Sequence, residues 1–153
     1  QPDNMEIAQF LSINGNEIGG VNLNTVLNND LHGVVEAIIS FNEVQGVYIS
    51  STTAVDYSQS VDDLNYLSHT KFKELNSETV SLDDYNIYDT FTIENLYDNA
   101  AFGPDEEKAL GIEEYRVFSL RTNDGRTAIF EITYFEIINN SQVYLGMDMY
   151  VTQ

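Results

Sequence analysis

The sequence predicts a mainly β protein, built as an antiparallel β-sandwich or barrel with one or two short helices. Three observations predict this class. Gly/Asn-rich breaks recur every eight to ten residues near the start of the chain. Apolar and polar residues alternate with period two in several short segments. The C-terminal segment has the pattern of a three-stranded meander. At 153 residues without a convincing linker, the chain is expected to form a single domain spanning 1–153.

The C-terminal meander is the most strongly specified element. Strands are predicted over 116–122, 126–138 and 142–151, with turns at 123–125 and 139–141. The Asn-Asp-Gly sequence of the first turn tolerates the left-handed backbone that a close hairpin needs. In the last strand one face is apolar, with Val143, Leu145, Met147, Met149 and Val151. A slip of one residue would turn this face to water, so the register should be fixed.

The N-terminal third is predicted to contain four short strands. Segment 5–13 is the first, and 21–25 is the second, after a break at Gly19-Gly20. Segment 31–41 is ambiguous, because its apolar residues fit a helix face while its β-branched content favours a buried strand; we favour the strand. Segment 45–51 is a clearer strand.

The middle of the chain should hold the helices. A helix is predicted over 61–75, where Ser60 and Asp63 resemble a capping box and leucines recur near helical spacing. Segment 90–96 has the alternation of a strand. Pro104 fits the first position of a short helix that ends at Gly111.

The net charge of −19 excludes two classes of partner. The chain has no Lys or Arg before Lys71, so it would repel nucleic-acid phosphates and anionic membrane surfaces. No apolar run is long enough to insert in a membrane as a helix. The acidic side chains either keep the protein soluble or have a function, which would be to bind a basic partner or calcium. The absence of cysteine excludes disulfides, thiolate metal sites and a cysteine nucleophile.

Candidate chemical groups are few. His32 and His69 are the only histidines of the chain. If the protein carried haem or a metal, these two side chains would be the imidazole ligands, although neither lies in a ligand motif. The oxygen-rich loop that carries Asp83, Asp84, Asn86 and Asp89 is a candidate calcium site. A hydrolase would need two carboxylates at a fixed separation, and 25 acidic residues give no way to select the pair.

Tyrosine supplies the candidate binding surface. Tyr144 and Tyr150 share one face of the last predicted strand, with Asp148 between them. Amphipathic rings of this kind suit a ligand-binding platform if the face is exposed, and they cover a second core if it is not.

Segment 117–128, VFSLRTNDGRTA, resembles the RTxDGKYAK hairpin near the C-terminus of HmuY-like surface lipoproteins of Bacteroidetes. That family has an all-β fold, and its best-known members capture haem through two histidines. The resemblance covers about 35 of the 153 residues. The chain lacks the family's Trp-containing segment and has Ile129 where the family has Lys. The resemblance implies an exported bacterial β protein. It implies no haem ligands, because neither histidine lies in a matched segment.

The sequence therefore favours an exported, non-catalytic binding module, located in the periplasm, at the cell surface or in the medium. Its ligand would be a protein, a glycan or a small molecule, and no cofactor is expected, with calcium as a possible exception. The alternatives are a haem or metal carrier that uses His32 and His69, and third a carboxylate-based hydrolase.

Overall fold

The computed structural model of the chain describes residues 9–14, 17–21, 37–42, 46–51, 69–82, 89–139 and 142–152. These residues form nine strands and one α-helix. They are β1 (Gln9–Asn14), β2 (Glu17–Val21), β3 (Ala37–Asn42), β4 (Gly46–Ser50), β5 (Lys71–Leu75), α1 (Thr90–Asn99), β6 (Lys108–Ala109), β7 (Val117–Arg121), β8 (Thr127–Asn139) and β9 (Gln142–Val151).

The strands form two antiparallel sheets. The first has the order β2-β1-β3-β4-β6, and the second has the order β5-β7-β8-β9. Buried side chains from both sheets make one apolar cluster, in which Val47 and Ile49 of the first sheet meet Phe118 and Phe130 of the second. The rings of Phe118 and Phe130 stack with their centroids 5.4 Å apart. The predicted mainly β class is confirmed. Of the two architectures that the sequence left open, the described strands form the sandwich.

The second sheet is covered on its outer face as well. There α1 buries Ile93 and Tyr97, and Ile93 joins a separate apolar cluster with Val117 and Ile129 of the sheet. Because both faces of this sheet are covered, Val117 through Leu120 are buried without alternation.

Segment 90–96 forms the first part of α1 and not the predicted strand. The alternation of Phe91 and Ile93 suggested a strand, but Phe91 is 73% exposed while the residues at helical spacing, Ile93 and Tyr97, are buried. Asp89 fixes the start of the helix, since its Oδ1 accepts a hydrogen bond of 2.8 Å from the Thr92 amide.

The helix predicted over 61–75 is wrong at its C-terminal end, where residues 71–75 form β5. Residues 61–68 lie outside the described part of the chain. The strand has period two: Phe72 enters the cluster between the sheets, and Leu75 enters the cluster beneath α1. Burial on both faces selects the strand here and overrides the helical spacing of the leucines.

The short helix predicted from Pro104 to Gly111 is replaced by a turn and by β6. Asp105 Oδ1 accepts a hydrogen bond of 2.9 Å from the Glu107 amide, which gives the backbone a local alternative to helix. The turn then connects the two sheets. The Glu106 carbonyl accepts from the Phe72 amide at 2.8 Å, and the next carbonyl, of Glu107, accepts from the Ser51 amide at 3.0 Å.

The C-terminal meander is confirmed. β7, β8 and β9 pair in sequence order, with Phe118 opposite Phe130 and Phe130 opposite Met149. Gly125 has a φ of +87° in the first turn. The second hairpin contains a bulge between Ile132 and Tyr134.

The N-terminal predictions are confirmed in part. β1 overlaps the first predicted strand, β3 supports the strand interpretation of 31–41 over residues 37–41, and β4 matches the strand predicted at 45–51. Gly19-Gly20 is not a break, because both residues lie inside β2, paired with Ser12 and Leu11. Residues 22–25 and 31–36 lie outside the described residues.

Candidate functional site

The predicted tyrosine surface divides into two parts. Tyr144, Asp148 and Tyr150 lie on one face of β9, opposite Glu136, Glu131 and Ile129 of β8. Tyr150 is half-buried against the cluster beneath α1, whereas Tyr144 is 57% exposed. The face therefore covers a second core at one end and is open to solvent at the other. Asp148 is exposed between them.

The open end of this hairpin carries an aromatic surface, which we call the hairpin-tip patch: Tyr134, Glu136, Tyr144 and the adjacent Glu114. Tyr134 is 46% exposed and lies opposite Gly146, two pairs along from Glu136 and Tyr144. The two tyrosines are thus diagonal neighbours on one face, within reach of a common ligand.

The geometry of the patch is held by a close approach of the two strands. A Cβ atom at Gly146 would lie 2.9 Å from Thr133 Oγ1 and 3.2 Å from Tyr134 Cβ. Glycine at this position therefore leaves room for the bulged backbone and for the tyrosine beside it. The Phe135 amide donates to Glu114 Oε1 at 3.3 Å, which connects the patch to the segment before β7.

The patch is electronegative. The Tyr134 hydroxyl donates a hydrogen bond to Glu136 Oε2. This bond raises the pKa of Tyr134 above its usual value, and the nearby charges of Glu136 and Glu114 act in the same direction. The chain has no Lys or Arg after Arg126, so the arrangement of aromatic rings and carboxylates suits a cation.

A cleft lies between α1 and the end of β5, with a volume of about 480 Å³. This volume is within the range of small-molecule sites, about 300–1,000 Å³. One wall is the helix face of Thr92, Asn95, Leu96 and Asn99, and the other wall is contributed by segment 74–80.

A stack of cations and aromatic rings holds α1 and segment 100–104 to the second sheet. The Lys73 ammonium lies 4.1 Å from the centroid of the Tyr97 ring and 4.6 Å from that of Phe102. The Arg121 guanidinium lies 4.2 Å from the same tyrosine ring, and the Lys71 ammonium lies 5.8 Å from the Phe102 ring. We refer to these five side chains as the cation–π stack.

Burial of the stack has an electrostatic consequence. Lys73 is only 8% exposed, and its ammonium donates a hydrogen bond of 2.7 Å to the Tyr97 carbonyl. Desolvation raises the pKa of the Tyr97 hydroxyl, and the charge of Arg121 opposes that rise. The stack is therefore occupied with internal contacts, and we assign it a structural role.

The calcium loop lies mostly outside the described residues, since Asp83, Asp84 and Asn86 are among those not described. Asp89 is described and caps α1; hydrogen bonding to Thr92 lowers its pKa below the usual value. Among the described residues, no three His, Asp or Glu side chains are grouped as a metal site requires. A calcium site at this loop stays a prediction.

The histidine pair is also incomplete, because His32 lies outside the described residues. His69 Nδ1 lies 3.4 Å from Glu107 Oε1, and the Ser51 hydroxyl donates to the same carboxylate oxygen. In a hydrolytic triad the imidazole stands between the hydroxyl and the carboxylate. Here the carboxylate stands between the other two groups, so this cluster does not have the geometry of a triad.

Sequence reasoning missed Tyr134, Glu114 and the cleft. Alternation along β8 does not predict the face on which Tyr134 lies, because the bulge before it changes which residues of β8 face outward. This bulge has no clear signal in the sequence. The cleft was missed because Asn95 and Asn99 line it only when 90–99 is helical.

The described residues include no helix that is both long and apolar enough to cross a membrane. No family model matches the chain, and no curated protein matches it. In structure it is similar to a DUF4466 family protein from Parabacteroides merdae, with a TM-score of 0.61 and 16% sequence identity over 97% of this chain. The match covers 50% of that protein, so the chain spans about half its length. At this identity the likeness shows the fold alone: the chain shares its fold with about half of that protein.

Proposed function

We propose that the chain is a non-catalytic interaction module that binds a basic segment of a partner protein through the hairpin-tip patch. The observation that carries the proposal is the exposure of Tyr134 and Tyr144 together on one face of the hairpin. Aromatic side chains are enriched at the buried centres of protein interfaces, because they supply a large contact area with few rotatable bonds.

The charge of the surroundings supports a basic partner. Glu136 and Glu114 flank the two rings, and the strands β8 and β9 contain no Lys or Arg. A lysine or arginine side chain placed over a tyrosine face gains about 0.5–1 kcal/mol at an exposed site. The net charge of −19 would also accelerate association with a basic partner at low salt.

The proposal is tested by titrating the isotopically labelled protein with a ten-residue Lys/Arg peptide and with a Glu peptide of equal length, followed by NMR. We expect the backbone amides of Tyr134 and Tyr144 to shift with the basic peptide and not with the acidic one. The paired substitution Tyr134→Ser and Tyr144→Ser should weaken binding about five- to thirty-fold, since two cation–π contacts together contribute about 1–2 kcal/mol.

The design separates specific contact from general attraction. Neither substitution changes the net charge, so binding caused only by the acidity of the chain would be unaffected. Phe91→Ser is the matched control, since Phe91 is 73% exposed on α1 and outside the patch. Equal affinity of the tyrosine variant and the control would contradict the proposal, as would the absence of binding.

A further inference from the structure

The cleft between α1 and segment 74–80 presents two carboxamides that the fold does not use. Asn95 and Asn99 both line it. They are four residues apart on α1, so their side chains lie on the same side with Cβ atoms about 5–6 Å apart. Within the described part of the chain, neither carboxamide takes part in a hydrogen bond; Asn95 is half-buried and Asn99 is exposed.

We propose that this cleft binds a neutral polyhydroxylated ligand, such as a sugar residue. A carboxamide presents an acceptor oxygen next to a donor NH₂ group. Neighbouring sugar hydroxyls present the same pairing, because each hydroxyl both donates and accepts. Two carboxamides one helical turn apart can therefore hold two edges of one ring.

The remaining lining explains why the ligand would be neutral. Glu74 is the charged residue of the cleft, and its carboxylate is paired with Arg116, with Nη1 and Oε2 3.3 Å apart. The cleft thus offers no uncompensated charge for an ionic ligand. A fully apolar ligand is disfavoured as well, because it would leave both carboxamides desolvated without partners.

Apolar side chains complete the match. Leu75, Val80, Leu96 and Ala100 contribute to the cleft, and all four also belong to or pack against the cluster beneath α1. The C–H face of a pyranose ring can pack on such a surface while its hydroxyls bond to the amides. This combination of an apolar lining with a few convergent polar groups is typical of ligand sites. The cleft shares no residue with the hairpin-tip patch, so the two proposals stand separately.

The test is an NMR titration of the intact chain with galactose, mannose and N-acetylglucosamine, alongside glucuronate and cyclohexanol as charged and apolar comparisons. We expect at least one neutral sugar to shift the amides of 92–100 and 74–80. The paired substitution Asn95→Ala and Asn99→Ala should weaken its binding at least tenfold. Since alanine favours helix more than asparagine does, the variant should keep its fold.

Glu94→Ala is the control, because Glu94 is on the same helix and does not line the cleft; sugar affinity should be unchanged. The proposal is overturned if no neutral sugar shifts the cleft amides, if the asparagine variant binds as well as the native chain, or if cyclohexanol binds equally well.

Discussion

The substitution Lys73→Met removes the central charge of the cation–π stack and leaves an unbranched side chain that is one atom shorter. Two ring contacts at 4.1 and 4.6 Å contribute about 1 kcal/mol each. The hydrogen bond to the Tyr97 carbonyl adds about 1.5–3 kcal/mol, because its donor is charged. Against this total stands the cost of desolvating an ammonium group, which is several kcal/mol in a protein. The net loss should be about 1–2 kcal/mol.

Urea and thermal unfolding measure this loss. For a chain of 153 residues, a loss of about 1–2 kcal/mol corresponds to a fall in melting temperature of about 2–8 °C. Lys71→Met is the control, because the Lys71 side chain is 47% exposed and its ammonium lies 5.8 Å from the Phe102 ring. Its effect should stay within about 0.5 kcal/mol.

A double-mutant cycle isolates the ring contact. Phe102→Leu removes one ring, and its coupling to Lys73→Met should be about 0.5–1 kcal/mol in favour of the native pair. A coupling energy near zero, or a Lys73→Met variant that is more stable than the native chain, would refute the reasoning, because desolvation would then outweigh the contacts.

Two further predictions concern the turn and the helix cap. Gly125→Ala should lower the free energy of unfolding, measured by urea titration, by about 1–2 kcal/mol, because Gly125 has a φ of +87°. Gly103→Ala is the control and should be nearly neutral, because nothing lies within 4 Å of the added Cβ. Asp89 has a lowered pKa in the folded chain, so its stabilising effect is present above its unfolded pKa of about 4 and is lost as the pH falls through the folded value. The urea midpoint should therefore fall less between pH 7 and pH 2.5 in the Asp89→Asn variant than in the native chain. An identical fall in both chains would contradict this.

Local patterns predicted the meander, and non-local packing decided the elements that were predicted wrongly. The register of β9 follows from strict alternation, and the first turn follows from Asn123-Asp124-Gly125, which is readable over three residues. In contrast, β5 is selected by burial on both faces, which depends on α1 and on the opposite sheet. No window around residues 71–75 contains that information.

The candidate sites show the same division. The sequence placed Tyr144 and Tyr150 on one face, as the register confirms, but which of them is exposed depends on where α1 packs. The cation–π stack joins Lys73, Tyr97 and Arg121, which are distant in sequence and meet only in the fold. Export, the resemblance to HmuY-like proteins, and haem, metal or hydrolytic chemistry stay predictions.

The length of β8 has a consequence for local stability. β8 pairs with β7 only over Thr127–Glu131, whereas it pairs with β9 as far as Asn139. Beyond the bulge, β8 and β9 pair only with each other among the described strands. Phe135 and Leu145 still pack against the apolar cluster between the sheets, but Ile137 is 56% exposed, and a two-stranded ribbon without such packing is marginally stable. Its distal amides can open to solvent at a lower free energy than the rest of the sheet, as a separate cooperative unit. A partner that binds only the closed ribbon would then have its affinity reduced by the fraction that is open, and its arrival would slow amide exchange there.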